Sequence, residues 1–198
     1  MNPGATFERV YRALKQDLGS GRFSSGEHLE PANLSDELDS SITPVRDALH
    51  RLVGEGLVEA PRGDGFRTPL VTEMGLRHLY RWNATLLDLA ARTPLAHEDP
   101  VLGADAPDSL ARTESLFLAV ARLPGNPEHV AAVARLSERL RPMRRVEADL
   151  LPEAVEIDAL SAFLCEGAIG PLRRAIAVFH RKRERLAAEI VERLHQLR

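Results

Sequence analysis

A single cysteine, Cys165, stands in the 198 residues, so no internal disulfide can form. Aromatic residues supply only 5% of the chain, so any core must be built mainly from Leu, Ala, Val and Ile. No apolar run approaches the ~18 residues needed to span a bilayer. The opening MNPGATFERV lacks the apolar stretch of a signal peptide. These absences lead to the expectation of a cytoplasmic chain with no membrane partner. Positive charge is also scarce. The net charge is −3, and residues 1–70 hold 8 Lys+Arg against 11 Asp+Glu, while the remainder carries 18 of each. A nucleic-acid binder needs cations at the phosphates, so here they must be gathered on one face. No Gly-rich phosphate loop, HExxH or GxSxG motif occurs, so no catalytic residue and no enzyme is expected. His78, His97, His129 and His195 have no partners at ligand spacing and read as surface residues. Cys165, on an apolar stretch, reads as core. The basic runs Arg144-Arg145 and Arg181-Lys182-Arg183 read as solvated faces.

Helical periodicity is plentiful. Phe7, Val10, Tyr11, Leu14 and Leu18 make one apolar face of a helix over Thr6–Leu18. The stretch Arg22–His28 reads as a loop. A short helix follows over Ala32–Leu38, with Pro31 in its first turn. After the turn Asp39-Ser40-Ser41, a third helix runs from Ile42 to Glu55 with Ser41 as its N-cap. Two extended runs, Leu57–Ala60 and Gly65–Thr68, flank the hairpin turn Pro61-Arg62-Gly63-Asp64. Beyond Pro69 only helices are expected, over Thr72–Ala91, Ser109–Arg122, Pro127–Ala148, Pro152–Cys165 and one long segment, Gly170–Leu197. His97–Pro107 reads as a disordered loop.

Three helices and a hairpin, in that order, make a winged helix-turn-helix. The third helix has the two faces such a unit needs. Val45, Ala48, Leu49 and Leu52 form a stripe to bury, while Thr43, Arg46, Asp47 and His50 form a second stripe to expose. Arg46 offers a planar fork to guanine or phosphate. Ser41 and Thr43 sit at the helix N-terminus, where free N–H groups favour phosphate. Arg62 and Arg67 place positive charge on the wing. The expected DNA contacts are therefore Ser41, Thr43, Arg46, His50, Arg62 and Arg67, and the expected partner is double-stranded DNA.

These residues also resemble a family. Gly21-Arg22 before Gly26, Leu34-Ser35-Asp36-Glu37-Leu38, Thr43-Pro44-Val45-Arg46-Asp47-Ala48-Leu49 with Leu52, Glu55-Gly56-Leu57-Val58 and Gly65-Phe66 are together similar to the GntR-type regulators. The family usually has Arg at the positions of Ile42 and Asn33, so two cations that commonly contact DNA are missing. The helical remainder resembles the FCD effector domain of the FadR-type branch. The matching residues are Phe117, Ala119, Ala121, Pro124-Gly125-Asn126-Pro127, Glu166-Gly167, Arg174-Ala175 and His180. The resemblance implies a metal site inside the bundle that binds a carboxylate effector. Carried over, Glu114 stands for the family's Asp, Leu118 and Ile157 replace two histidines, and His180 alone matches. A divalent ion held by Glu114 and His180 alone would be weak, so no metal and no cofactor is expected. Between Leu89 and Glu114 the chain has about 25 residues where the family fits a further helix, so the domain looks shortened. Arg81, Glu114 and His180 remain the effector-pocket candidates, with Arg81 read as turning inward toward Glu114 or an acidic effector.

The expected fold class is mainly α, with a winged helix-turn-helix DNA-binding domain over 1–70 and an FCD-like helical bundle for effector binding and dimerisation over 71–198. The expected function is a homodimeric transcription regulator, by default a repressor, on a pseudo-palindromic operator. Two alternatives stay open. One is a regulator whose degenerate helical domain binds no ligand. The other is a winged-helix protein–protein adaptor that does not bind DNA, favoured by Ile42 and the acidic N-terminal half.

Overall fold

Val10, Tyr11, Leu14 and Leu18 recur at helical spacing and are all buried, on the inner face of the first helix, α1 (Pro3–Ser20). The computed structural model describes residues 3–92, 108–151 and 153–196. The loop expected at His97–Pro107 lies outside the described residues. The chain divides into two units, one of Met1–Val71 with Leu194–Arg198 and the other of Thr72–Arg193. The fold class is the expected one: mainly α, with a winged helix-turn-helix followed by a helical bundle.

In the first unit, β1 (His28–Leu29) leads into α2 (Pro31–Glu37) and α3 (Ile42–Glu55), followed by β2 (Phe66–Arg67). The α3 boundaries match those read from the sequence. Gly56 ends this helix in the left-handed conformation, φ 72°, where a side chain would be strained. The amide of Leu57 then reaches back to the Leu52 carbonyl at 3.0 Å, closing a Schellman-type cap. Val45, Ala48, Leu49 and Leu52 of α3 are buried with Leu29, Leu34, Val58 and Phe66 and the α1 face in one apolar core.

The wing differs from expectation in one respect. Glu59 and Arg67 exchange backbone hydrogen bonds of 2.8 and 2.9 Å across the hairpin, as expected. The other edge of β2 pairs antiparallel with β1, His28 opposite Arg67 and Leu29 opposite Phe66. So the end of the presumed Arg22–His28 loop is a strand. Its two residues are too short to show alternation, and their partners lie 39 and 37 residues away.

The second unit is a bundle of α4 (Glu73–Ala90), α5 (Ser109–Arg122), α6 (Pro127–Leu150), α7 (Glu153–Cys165) and α8 (Ile169–Arg185). Side chains of Thr72, Asp108 and Asn126 cap α4, α5 and α6 by accepting from backbone amides, which satisfies donors that a helix start leaves free. Leu87, Leu116, Phe117, Leu136, Ile157, Leu160 and Ile176 share its core. The single long final helix expected from the sequence is interrupted. At Leu186 the amide turns to the Arg183 carbonyl, three residues back, a tighter 3₁₀-like turn. α9 (Ala187–Gln196) begins beyond it. Among the described residues no helix is long and apolar enough to cross a membrane.

Candidate nucleic-acid interface and bundle interior

The second stripe of α3 faces solvent as its spacing requires. Thr43, Arg46, Asp47 and His50 are all exposed. Ser41 occupies the N-cap position in extended conformation without a side-chain capping bond, so its hydroxyl stays available beside the helix start. His50 is exposed but leans edge-on against Phe66 of β2, ring centroids 4.9 Å apart, which ties the helix to the wing. Ile42 is 40% exposed, an apolar side chain at the mouth of the same face.

The cations of this unit have a telling distribution. Arg9 donates to the carbonyls of Leu38 and Asp39 at the end of α2. Arg12 approaches Glu8 at 4.0 Å, and Lys15 meets Glu55 at 3.1 Å. Arg22 bridges Asp17 and Glu37. Arg51 pairs with Glu8 and Glu55 and stacks 3.9 Å from the Tyr11 ring centroid. Arg67, expected to face DNA, is held by Glu59 at 3.0 Å and Asp64 at 3.7 Å. Among the described Lys and Arg residues of this unit, only the side chains of Arg46 and Arg62 have neither an ion pair nor a hydrogen bond to another residue. One projects from α3 and the other from the wing turn. Five of the other six cations are thus paired with carboxylates and Arg9 is bonded to backbone carbonyls.

The effector-pocket candidates do not converge as expected. Arg81 turns outward, its side chain 58% exposed, and pairs with Glu184 at 2.8 Å. It sits beside exposed Trp82 on α4, on the side of the helix away from buried Tyr80 and Asn83. Both carboxylate oxygens of Glu114 are taken by the Arg141 fork. His180 alone is interior, 1% exposed and stacked on Phe117 at 5.6 Å. Of the four positions at which the resemblance places metal ligands, Leu118 and Ile157 offer no donor atom and Glu114 is occupied by Arg141. Among the described residues no group of three or more His, Cys, Asp or Glu could hold a metal ion. The residues do not fit the family's metal.

The interior contains charges from the two basic runs expected at solvated faces. Arg183, in the basic run of α8, is 0% exposed. Its Nε donates to Glu147 Oε2 at 2.6 Å and its Nη1 to Glu156 Oε2 at 2.9 Å. Glu147 also accepts from the Tyr80 hydroxyl, and burial beside Glu147 pushes the Tyr80 pKa well above its usual value. Arg144 is 3% exposed, its guanidinium 5.2 Å from the Phe117 ring centroid. The available signal was register: Arg183 continues the buried line Leu172, Ile176, Phe179, and Arg144 lies seven residues after buried Ser137. Cys165 is exposed rather than core, because it follows buried Leu164 at the last position of α7. His129 is half-buried, its Nε2 2.8 Å from the Leu86 carbonyl. His195 is half-buried as well, while His78 is exposed.

A tri-helical head with a reading helix and a wing defines the winged helix-turn-helix class of nucleic-acid-binding folds. Residues 6–67 match the family model described as "Bacterial regulatory proteins, gntR family". The HTH-type transcriptional regulator McbR of Escherichia coli (strain K12) is 32% identical over 151 residues, 75% of this chain. The aligned stretch covers 64% of that relative's own length. Among solved structures, E. coli McbR/YncC superposes with a TM-score of 0.65 at 22% identity, covering 93% of this chain and 97% of that one. A putative transcriptional regulator GntR from Rhodococcus sp. RHA1 gives 0.75 at 15% identity, covering 93% and 98%. Both share the fold across head and bundle.

Proposed function

We propose that this chain is a sequence-specific, DNA-binding transcription regulator of the bacterial cytoplasm, with residues 1–70 as the DNA-binding domain and 71–198 as a domain for dimerisation and effector binding. The observation that carries the reading is the pair of cations without internal partners, Arg46 on α3 and Arg62 on the wing. Arg46 enters the major groove with Thr43 and His50, and Ser41 donates to a phosphate at the helix N-terminus. Arg62 contacts the backbone or minor groove beside it, and Arg67 orders the wing through Glu59 and Asp64 as well as adding charge. A two-fold homodimer presents two such heads to half-sites about one helical turn apart, and occlusion of the promoter makes it a repressor. The bundle is an FCD-type domain of the FadR branch that has lost its metal, and a small organic acid sets the spacing of the heads by binding one state better than the other.

The test is a fluorescence-anisotropy titration of the purified protein on duplexes tiled across its own upstream region, repeated over a salt series. One duplex is expected to bind well above the others, and Arg46→Ala to remove that preference while leaving the far-UV CD spectrum unchanged. Equal binding of all duplexes, or a preference that survives Arg46→Ala, rejects the assignment. Exposed Ile42, together with the acid excess of the head, favours one second reading: a winged-helix adaptor that binds protein. It predicts no salt-dependent shift on any duplex.

A further inference from the structure

Among the described residues the second unit exposes five large apolar side chains, and four of them lie on two neighbouring helices. These are Met74, Trp82 and Leu89 on α4 and Val178 on α8. Apolar side chains gathered at the surface in this way mark interaction faces. Two ion pairs fix the register of the helices across their seam: Asp88 with Arg173 at 2.7 Å and Arg81 with Glu184 at 2.8 Å. α4 and α8 therefore run antiparallel. In that register Trp82 stands level with Arg181, Thr85 with Val178 and Leu89 with Arg174. On each helix the buried residues, Tyr80 and Leu87 on α4 and Ile176 and Arg183 on α8, lie to one side of the seam. The exposed residues lie to the other, so the two outer rows form one face.

α8 supplies the charge. Arg174, Arg181 and Arg185 are exposed and share one side of the helix, at i, i+7 and i+11. Among the described residues none of the three makes an ion pair or a hydrogen bond. The cations next to them do: Arg173 binds Asp88, Lys182 binds Glu156 and Arg183 binds Glu147. The fold thus pairs the cations at its seams and leaves the outer row without counter-charge. The row spans about 16 Å at ~1.5 Å per residue. Beside it, on α4, runs the row that holds Trp82 and Leu89. Trp and Arg are the side chains that most often dominate binding energy at protein interfaces.

We propose that the outer face of α4 and α8 docks an acidic amphipathic helix of another protein. Its apolar stripe lies on Trp82, Leu89 and Val178, and its carboxylates meet Arg174, Arg181 and Arg185. Charge selects this occupant. A two-fold contact sets the same patch of each copy together, and this patch has only Asp88 and Glu184 as carboxylates, both already paired. A second copy therefore brings the arginines no acid. A lipid surface suits an apolar face flanked by cations, whereas here the unpaired cations all stand on α8, because Arg81 and Arg92 of α4 are bonded to Glu184 and Asp88. A phosphate backbone uses the arginines and leaves aliphatic Leu89 and Val178 without a partner. An amphipathic helix presents an apolar and an acidic stripe side by side, as the two rows require. The proposal goes beyond DNA recognition and involves no residue of α3.

Trp82 is the single tryptophan of the chain, so tryptophan emission reports on this face alone. The full-length protein is titrated with synthetic helical peptides of about 18 residues, long enough to cover the row at ~1.5 Å per residue. One has leucines along one side and glutamates beside them, a second has lysine for each glutamate, and a third scrambles the acidic sequence. The acidic peptide is expected to shift Trp82 emission to the blue and shield it from acrylamide, less so in added salt. Arg174→Glu combined with Arg181→Glu, at exposed positions without partners, is expected to keep the wild-type Tm. It should bind the acidic peptide at least about tenfold more weakly and bind the lysine peptide instead. Leu89→Ser is expected to cost the acidic peptide about tenfold in affinity. No response to the acidic peptide, an equal response to the scrambled or lysine peptide, or affinities untouched by the charge reversal overturns the proposal. So does a larger shift with phosphatidylserine vesicles or with single- or double-stranded oligonucleotides. A blue shift produced by raising the protein concentration alone assigns the face to a second copy and overturns it as well.

Discussion

Arg183 and Glu147 meet at 2.6 Å with side chains 1% and 0% exposed, α8 to α6, and the Arg183 guanidinium lies 3.2 Å from the centroid of the Phe179 ring. Removing one partner leaves a buried charge uncompensated, which costs about 3–5 kcal/mol, whereas replacing both by apolar side chains is often neutral. Arg183→Met should therefore lower the urea midpoint sharply, and Glu147→Leu combined with Arg183→Met should restore much of it. A double-mutant cycle by urea denaturation checks this, and additive losses would mean that the two charges are stabilised separately.

The His180 ring sets a pH dependence. Burial pushes its pKa down to about 3 against the hydrogen bond to the Ile176 carbonyl, from 6.5 when exposed. Between those two values the unfolded chain binds a proton that the folded chain refuses. Stability contributed by neutral His180 is then present above about pH 6.5 and falls by roughly 1.4 kcal/mol per pH unit as the solution is acidified. Comparing His180→Phe with the wild type between about pH 6 and pH 4.5 isolates this from the carboxylates. The difference in unfolding free energy should shift in favour of the variant as pH falls, and parallel curves would contradict it.

On the proposed DNA face, Arg46→Ala and Arg62→Ala should behave differently. The first is expected to lose about 1–3 kcal/mol and relax the sequence preference, as loss of a base contact does. The second should weaken all duplexes alike and reduce the salt slope by about one. Ile42→Arg should do the reverse, tightening binding and steepening the slope by about one. Salt-dependent anisotropy distinguishes them.

Arg51 provides the contrast. It is exposed on α3, yet Glu8, Glu55 and the Tyr11 ring hold it against α1. Arg51→Ala should lower the stability of the head slightly through the lost cation–π and ion-pair contacts and leave the salt slope unchanged. A changed slope with unchanged stability would place Arg51 on the DNA instead.

How far these features were legible depended on the range of the forces behind them. The α3 limits, its buried stripe and its exposed stripe follow from local spacing and the Gly56 cap, all within 15 residues. β1 was invisible because His28 and Leu29 become a strand only through Arg67 and Phe66. Arg183 looked solvated because its neighbours Arg181 and Lys182 carry the same charge, while its counter-charge, Glu147, lies 36 residues away on another helix. Arg81 was assigned the wrong side of α4 because no local signal distinguished its Glu184 partner, 103 residues distant, from Glu114. The burial of Arg144 against Phe117 required α5 and α6 to be placed first.

The internal engagement of six cations in the head bears on how the proposed regulator would behave on a chromosome. Counterion release from phosphates drives indiscriminate association with DNA, and a head with two unneutralised arginines releases few ions. Random sequence then holds such a protein weakly. Under the proposed function, where competing sites vastly outnumber any operator, few molecules would then be lost to the rest of the genome.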